Sequence, residues 1–197
     1  MLNEALSYVL YLYGLLYQAI VPCSVPELLP VDTINRQQYL GKWFFLAAVS
    51  HREADIQKFK VLDSILFTME EPANDTLLLS GYMRMGENCK NQTWTYHLHP
   101  DRDDLELEVL LLVDPGRPQR RNLFWSGKWV DCADCIIFQE FEPPLRETDS
   151  EDSLGRFMLY ARQSDVKPEV VTSFLKNSAC HNMLASVRLP QTKEFCT

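Results

Sequence analysis

Between residues 42 and 162 the sequence breaks into short runs of branched and aromatic residues, each bounded by turn chemistry. The clearest run is Leu105-Glu106-Leu107-Glu108-Val109. Strict alternation there puts apolar side chains on one face of a strand and carboxylates on the other. Its continuation to Val113 is apolar at every position, which predicts cover on both faces. Reading the other runs the same way predicts strands over 42–49, 64–70, 76–85, 93–98, 105–113, 122–129, 136–141 and 155–162. The breaks at 71–75, 99–101 and 114–118 carry Pro, Asn, Asp and Gly, the residues that make turns. Eight strands this short and this closely spaced demand hairpin links, so the fold class is all-β, an antiparallel sandwich or barrel. After them Pro168-Glu169 opens a segment with Val170, Val171, Phe174 and Leu175 at helical spacing, closing near Cys180. Residues 142–153 are proline-led and then acidic, with no apolar period, and read as an exposed loop.

Ahead of the strands, residues 5–21 carry no charge. This is the apolar stretch of an export signal, yet Ala19-Ile20-Val21-Pro22 lacks the small residues that a signal peptidase needs. As a helix it would be about 25 Å long at about 1.5 Å per residue, short of the roughly 30 Å hydrocarbon core of a bilayer. The expectation is a retained hydrophobic anchor over 1–22, a linker broken by Pro22, Pro26 and Pro30, and one folded domain over 23–197. With 46% hydrophobic and 23% charged residues in 197, the chain has the composition for one well-buried core. A net charge of −8 argues against nucleic acid as a partner, and against purely electrostatic membrane attachment. Six cysteines behind an export signal favour disulfides. Sequons at Asn74 and Asn91 fit the same secreted, extracellular route.

Gly41 and Trp43 stand at the mouth of the first run, and Arg162 ends the last one, before the helix. Glycine lets the chain turn tightly into the sheet, the Trp can plug a barrel end, and a guanidinium can stack on the indole face. In order and position these residues resemble the first and third signature elements of the lipocalin family. The second element, a Thr-Asp-Tyr turn, is poorly kept, with Asp131 or Asp134 standing for its aspartate. The resemblance implies an eight-stranded antiparallel up-and-down barrel with one C-terminal α-helix, preceded here by a hydrophobic N-terminal helix. It implies a monomeric lipid carrier and neither an enzyme nor a cofactor protein. The tyrosine-rich leader, Cys23, Trp94-Thr95-Tyr96-His97-Leu98, Gly116-Arg117-Pro118 and Arg156-Phe157-Met158-Leu159-Tyr160 narrow it to a lipoprotein-associated member. That likeness implies a leader held in lipoprotein particles such as high-density lipoprotein, and a barrel that binds sphingosine-1-phosphate or a similar amphipathic lipid.

The same resemblance implies the bridges Cys23–Cys180 and Cys89–Cys196. Its third bridge has lost its partner at the helix start, and the sequence offers Cys135 instead, so Cys132 and Cys135 are expected to form a local bridge or to remain two free thiols. Carried over position by position, the head-group set is Trp94, Arg117, Glu140 and Tyr160, with Tyr96 on the same strand face as Trp94. One arginine of that set falls on Gln92 here, and Arg84, Arg120 or Arg121 are the candidate replacements. Without the resemblance, Trp94 and Tyr160 read as core aromatics, Arg117 as a solvated turn residue and Glu140 as a surface carboxylate. Two alternatives follow: a carrier of a neutral lipid such as a retinoid or fatty acid, and an isomerase using Cys132 or Cys135 as a thiol. His97 and His99 share a strand face without a third ligand nearby, so no metal site is expected.

Overall fold

The computed structural model describes residues 6–13, 23–30, 36–108, 120–142 and 154–197. Its strands are β1 (Gly41–Ser50), β2 (Ser64–Ala73), β3 (Thr76–Met85), β4 (Asn88–Leu98), β5 (Leu105–Leu107), β6 (Arg121–Ser126), β7 (Cys135–Phe141), β8 (Gly155–Ala161) and β9 (Ala185–Arg188). Consecutive strands pair antiparallel from β1 to β8, and β1 pairs again with β8, so eight strands close into a barrel. Closure leaves no free edge among them. β1 is shared: Gly41–Phe44 lies beside β2, while Ala47–Ser50 lies beside the added strand β9. A register shift between Phe45 and Ala47 lets β1 bend. Trp43, Phe45 and Ala48 consequently face the barrel interior, and Leu46, Ala47 and Val49 face outward.

Those outward residues meet a helix over Pro168–Cys180, which buries Val171 and Phe174 against them and against Trp129, Ile137 and Leu159. The molecule therefore has two cores, one inside the barrel and one between barrel and helix. The proline at the helix start and the apolar spacing behind it account for this element.

Several strand limits differ from the sequence reading, for local reasons. β4 starts at Asn88 because the hairpin from β3 turns tightly at Gly86, where φ is 55°. β6 stops at Ser126, whose side chain accepts from the Lys128 N–H and opens a 3₁₀ turn over Gly127–Val130. A Cβ at Gly127 would collide with the carbonyl oxygens of Cys132 and Cys135, so the turn admits only glycine. The strand expected over 105–113 ends at Leu107, residues 109–113 of that run and most of the 142–153 loop lying outside the described residues. Residues 6–13 are helical and exposed, and no described helix is long and apolar enough to cross a membrane. A short helical segment, Glu53–Ile56 followed by Gln57–Val61, had no counterpart in the sequence reading.

Candidate functional site

At one end the barrel is shut. The Arg162 guanidinium lies 3.8 Å from the centroid of the Trp43 ring and donates to the carbonyl oxygens of Leu40 (2.8 Å), Lys42 (3.0 Å) and Gln38. The Trp43 indole donates to Tyr39 O at 2.7 Å. Gly41, at φ +93°, makes the turn that brings these groups together. Gly41, Trp43 and Arg162 thus meet at the floor.

Above the floor, Trp43, Met69, Leu77, Leu105, Phe124 and Ile136 line a narrow apolar chamber, about 420 Å³ when the open space adjoining it is counted. It shares Phe67, Leu79, Tyr96, Phe138 and Tyr160 with an upper chamber of about 660 Å³, counted out to its open mouth. The upper chamber also takes Lys58, Gln92, Trp94, Arg120, Glu140 and Arg156. The gradient is simple: aliphatic and aromatic below, charged above.

Strand alternation puts these groups there. Gln92, Trp94 and Tyr96 step down β4 on its inner face, and Arg156, Met158 and Tyr160 step down β8. Gly81 on β3 makes room for them, since a Cβ there would stand 2.8 Å from both the Trp94 and Phe67 rings. Glu140 and Arg156 are register partners across β7 and β8, and both are buried. The Arg156 Nε donates to Glu140 Oε2 at 2.8 Å, with a second bond to the same oxygen from Nη2. Its Nη1 donates to Asp55 O at 2.7 Å, and its guanidinium stands 5.0 Å from the Phe59 ring centroid. One wall residue therefore holds the helical segment over the mouth. Arg120 donates to Glu140 Oε1 at 3.2 Å and to Glu142 Oε1 at 2.7 Å.

Burial, aided by the nearby Glu140 charge, pushes the hydroxyls of Tyr96 and Tyr160 well above the usual tyrosine value, so both remain protonated. The Tyr160 hydroxyl stands 3.7 Å from Met158 Sδ. Desolvation, with Arg156 close by, pulls Lys58 down to about 8. The residue keeps an exposed surface, and solvent screens part of that effect.

Of the residues singled out in the sequence, Gln92, Trp94, Tyr96, Glu140 and Tyr160 line one cavity. Arg117 lies outside the described residues. Among the candidate replacements for the missing arginine, Arg120 reaches the mouth. Arg84 instead donates outside the barrel to Glu194 O and Glu87 O, and Arg121 pairs with Asp104. Sequence reasoning missed Arg156, although its i, i+2, i+4 spacing with Met158 and Tyr160 marks it as inward. It also missed Lys58, which sits in a segment without strand periodicity.

Cys23 is bonded to Cys180, Cys89 to Cys196 and Cys132 to Cys135, which accounts for all six cysteines. His97 faces Glu108 at 3.6 Å and His99 faces Glu106 at 3.1 Å, on the outer surface. Among the described residues no cluster of three or more metal-ligating side chains occurs.

A family model described as the ApoM domain matches residues 1–197. The chain is 26% identical to apolipoprotein M of Rattus norvegicus over 202 residues, covering 100% of this chain and 97% of that protein. To apolipoprotein M of Mus musculus it is 25% identical with the same coverage. Among solved structures it superposes on lipocalin 12 from rat epididymis with a TM-score of 0.63 at 12% identity, covering 89% of this chain and 95% of that one. It matches the siderocalin Ex-FABP with a TM-score of 0.56 at 15% identity, covering 80% and 97%. At these identities the two structures speak to the fold alone.

Proposed function

Because this chain belongs to the apolipoprotein M family and has the lipocalin fold, we propose that it is a secreted, lipoprotein-associated carrier of sphingosine-1-phosphate or a closely similar amphipathic lipid. The observation that carries this reading is the gradient inside the barrel. An apolar lower chamber suits an acyl tail, and a rim of Lys58, Arg120 and Arg156 around Glu140, with Glu142 paired to Arg120, suits a head group bearing phosphate and ammonium. Arg120 and Arg156 take the phosphate, Glu140 takes the ammonium, and Trp94, Tyr96 and Tyr160 form the wall beside them. Arg117 belongs to the same set by resemblance.

The protein is a carrier rather than an enzyme. With every cysteine in a disulfide, the thiol-dependent alternative also lacks its nucleophile. Residues 1–22 act as a retained anchor for residues 23–197. The exposed apolar side chains of residues 6–13 suit a particle surface, where one phospholipid monolayer covers an apolar core. Asn74 and Asn91 are both exposed and are the acceptors for N-linked glycans. On this reading the barrel works as a monomer.

The test is a fluorescence titration. Sphingosine-1-phosphate is expected to quench tryptophan emission saturably, and Trp94→Phe is expected to remove most of the signal. Arg120→Ala is expected to weaken binding at least about tenfold, the worth of one charge-assisted hydrogen bond. Arg120 is the informative position because truncating Glu140 strands the buried Arg156 and unsettles the fold itself. Unchanged affinity in Arg120→Ala would remove the head-group assignment. Gln92, a neutral residue at the mouth, favours a second reading in which the cargo is uncharged. Displacement by excess retinol or oleate, with sphingosine-1-phosphate inactive, would select that reading.

A further inference from the structure

Counting ion pairs at the mouth leaves one cation over. Arg156 is committed to Glu140 and to the Asp55 carbonyl, and Arg120 is committed to Glu140 and Glu142. Lys58 lines the same chamber, yet among the described residues no carboxylate stands within ion-pair distance of its ammonium. Its Nζ stands 5.5 Å from the centroid of the Phe59 ring, and the Glu140 charge attracts it from beyond ion-pair distance. Three cations then face two carboxylates, Glu140 and Glu142, at the mouth of a protein whose overall charge is −8. Like charges gathered around a partly desolvated cavity oppose one another, and an anion is the group that relieves them.

On the carrier reading above, we infer that Lys58 is the residue by which this barrel selects a phosphorylated amphiphile over its unphosphorylated counterpart. Gln92 faces the same chamber from β4 and is neutral. An amide offers a phosphate dianion an ordinary hydrogen bond, whereas an ammonium offers a charge-assisted one of roughly twice the strength. Lys58 reaches the chamber from the segment Gln57–Val61 and not from a barrel strand, so its contact joins the ligand to the cover of the mouth. That cover is already fastened to the wall through the bond from Arg156 to Asp55 O. A phosphate between Lys58 and Arg156 completes a second fastening at the same place. The flexible stem suits this role, since a point charge on four methylenes follows the anion better than a rigid fork does. The ammonium remains mostly protonated at neutral pH, because its lowered value still lies near 8.

The test uses the full chain and two probes, an eighteen-carbon sphingoid base with and without its phosphate. Wild type is expected to prefer the phosphorylated probe. Lys58→Gln is expected to lose about tenfold or more of that preference while holding the unphosphorylated probe as before, and Lys58→Arg is expected to restore it. The inference falls if Lys58→Gln keeps the wild-type ratio, or if both probes weaken together, which would mark Lys58 as structural. Wild type binding neither probe saturably would overturn the carrier reading and this inference with it. Wild type binding both, with a preference indifferent to Lys58, would overturn this inference alone.

Discussion

Lys58 makes a prediction about protons. It is flanked by Arg156 from β8, Arg120 from the approach to β6 and Glu140 from β7. Of these the two arginines stay charged at every working pH, and a phosphate monoester is already largely dianionic above pH 7. Among its protein neighbours Lys58 is protonated below about 8 and neutral above it. The phosphate binds the protonated form, so affinity for a phosphorylated ligand should fall as pH rises from 7 to 9.5. Lys58→Gln removes the titrating group, so the gap between wild type and this variant should shrink over the same range; calorimetric titrations at three pH values measure it. At this scale the sequence was partly readable. Strand alternation puts Trp94 and Tyr96 on one face, but it is the family resemblance that singles out Trp94 and Tyr160 as pocket residues. Arg156 follows strand alternation too, and was passed over because a buried arginine declares itself only once Glu140 is known to stand opposite. Lys58 gives no periodic signal, since its place depends on how a non-repetitive segment folds over the mouth.

Among elements, the bridges differ in what they hold. Cys23–Cys180 and Cys89–Cys196 span sequence separations of 157 and 107, while Cys132–Cys135 spans 3. Loop-closure entropy then assigns about 5 kcal/mol to either long bridge and about 2 kcal/mol to the short one. Replacing both members of each pair by serine should accordingly lower the melting temperature least for Cys132 and Cys135, as differential scanning calorimetry reads it. The tail pinned by Cys196 also seals a seam. Where β2 parts from β1, Gln191 donates through its side chain to Phe45 O at 2.9 Å and through its N–H to Asp63 O at 2.9 Å. Asp63 in turn accepts from Thr192 and Lys193. None of this was legible beforehand, because a tail of this kind has no period and its partners are remote in sequence. The strands themselves were legible wherever one face is buried. Their ends were less so: β6 stops at Ser126, where a 3₁₀ turn opens on Gly127, a residue crowded by the carbonyl oxygens of Cys132 and Cys135.

For the whole molecule, anchor and cup are expected to separate cleanly. A chain lacking residues 1–22 should bind lipid as the full chain does and lose its association with lipoprotein, which density-gradient flotation of the two forms measures. Spacing left a sandwich and a barrel open, and the lipocalin resemblance carried by Gly41, Trp43 and Arg162 selected the closed eight-stranded barrel. The ninth strand was not readable, because Ala185–Arg188 is short and acquires its partner only where β1 outlasts β2. One contact bears on timing. The guanidinium of Arg156 fastens the Asp55 segment to the wall. On the carrier reading, a phosphate held between Arg156 and Lys58 adds a second fastening to this one, so a loaded barrel would hold its mouth segment more firmly. How long a cargo stays aboard is then governed by how often this clasp lets go. A transporter built in this way regulates delivery through its dwell time, and two ligands of equal affinity can be handed over at different speeds.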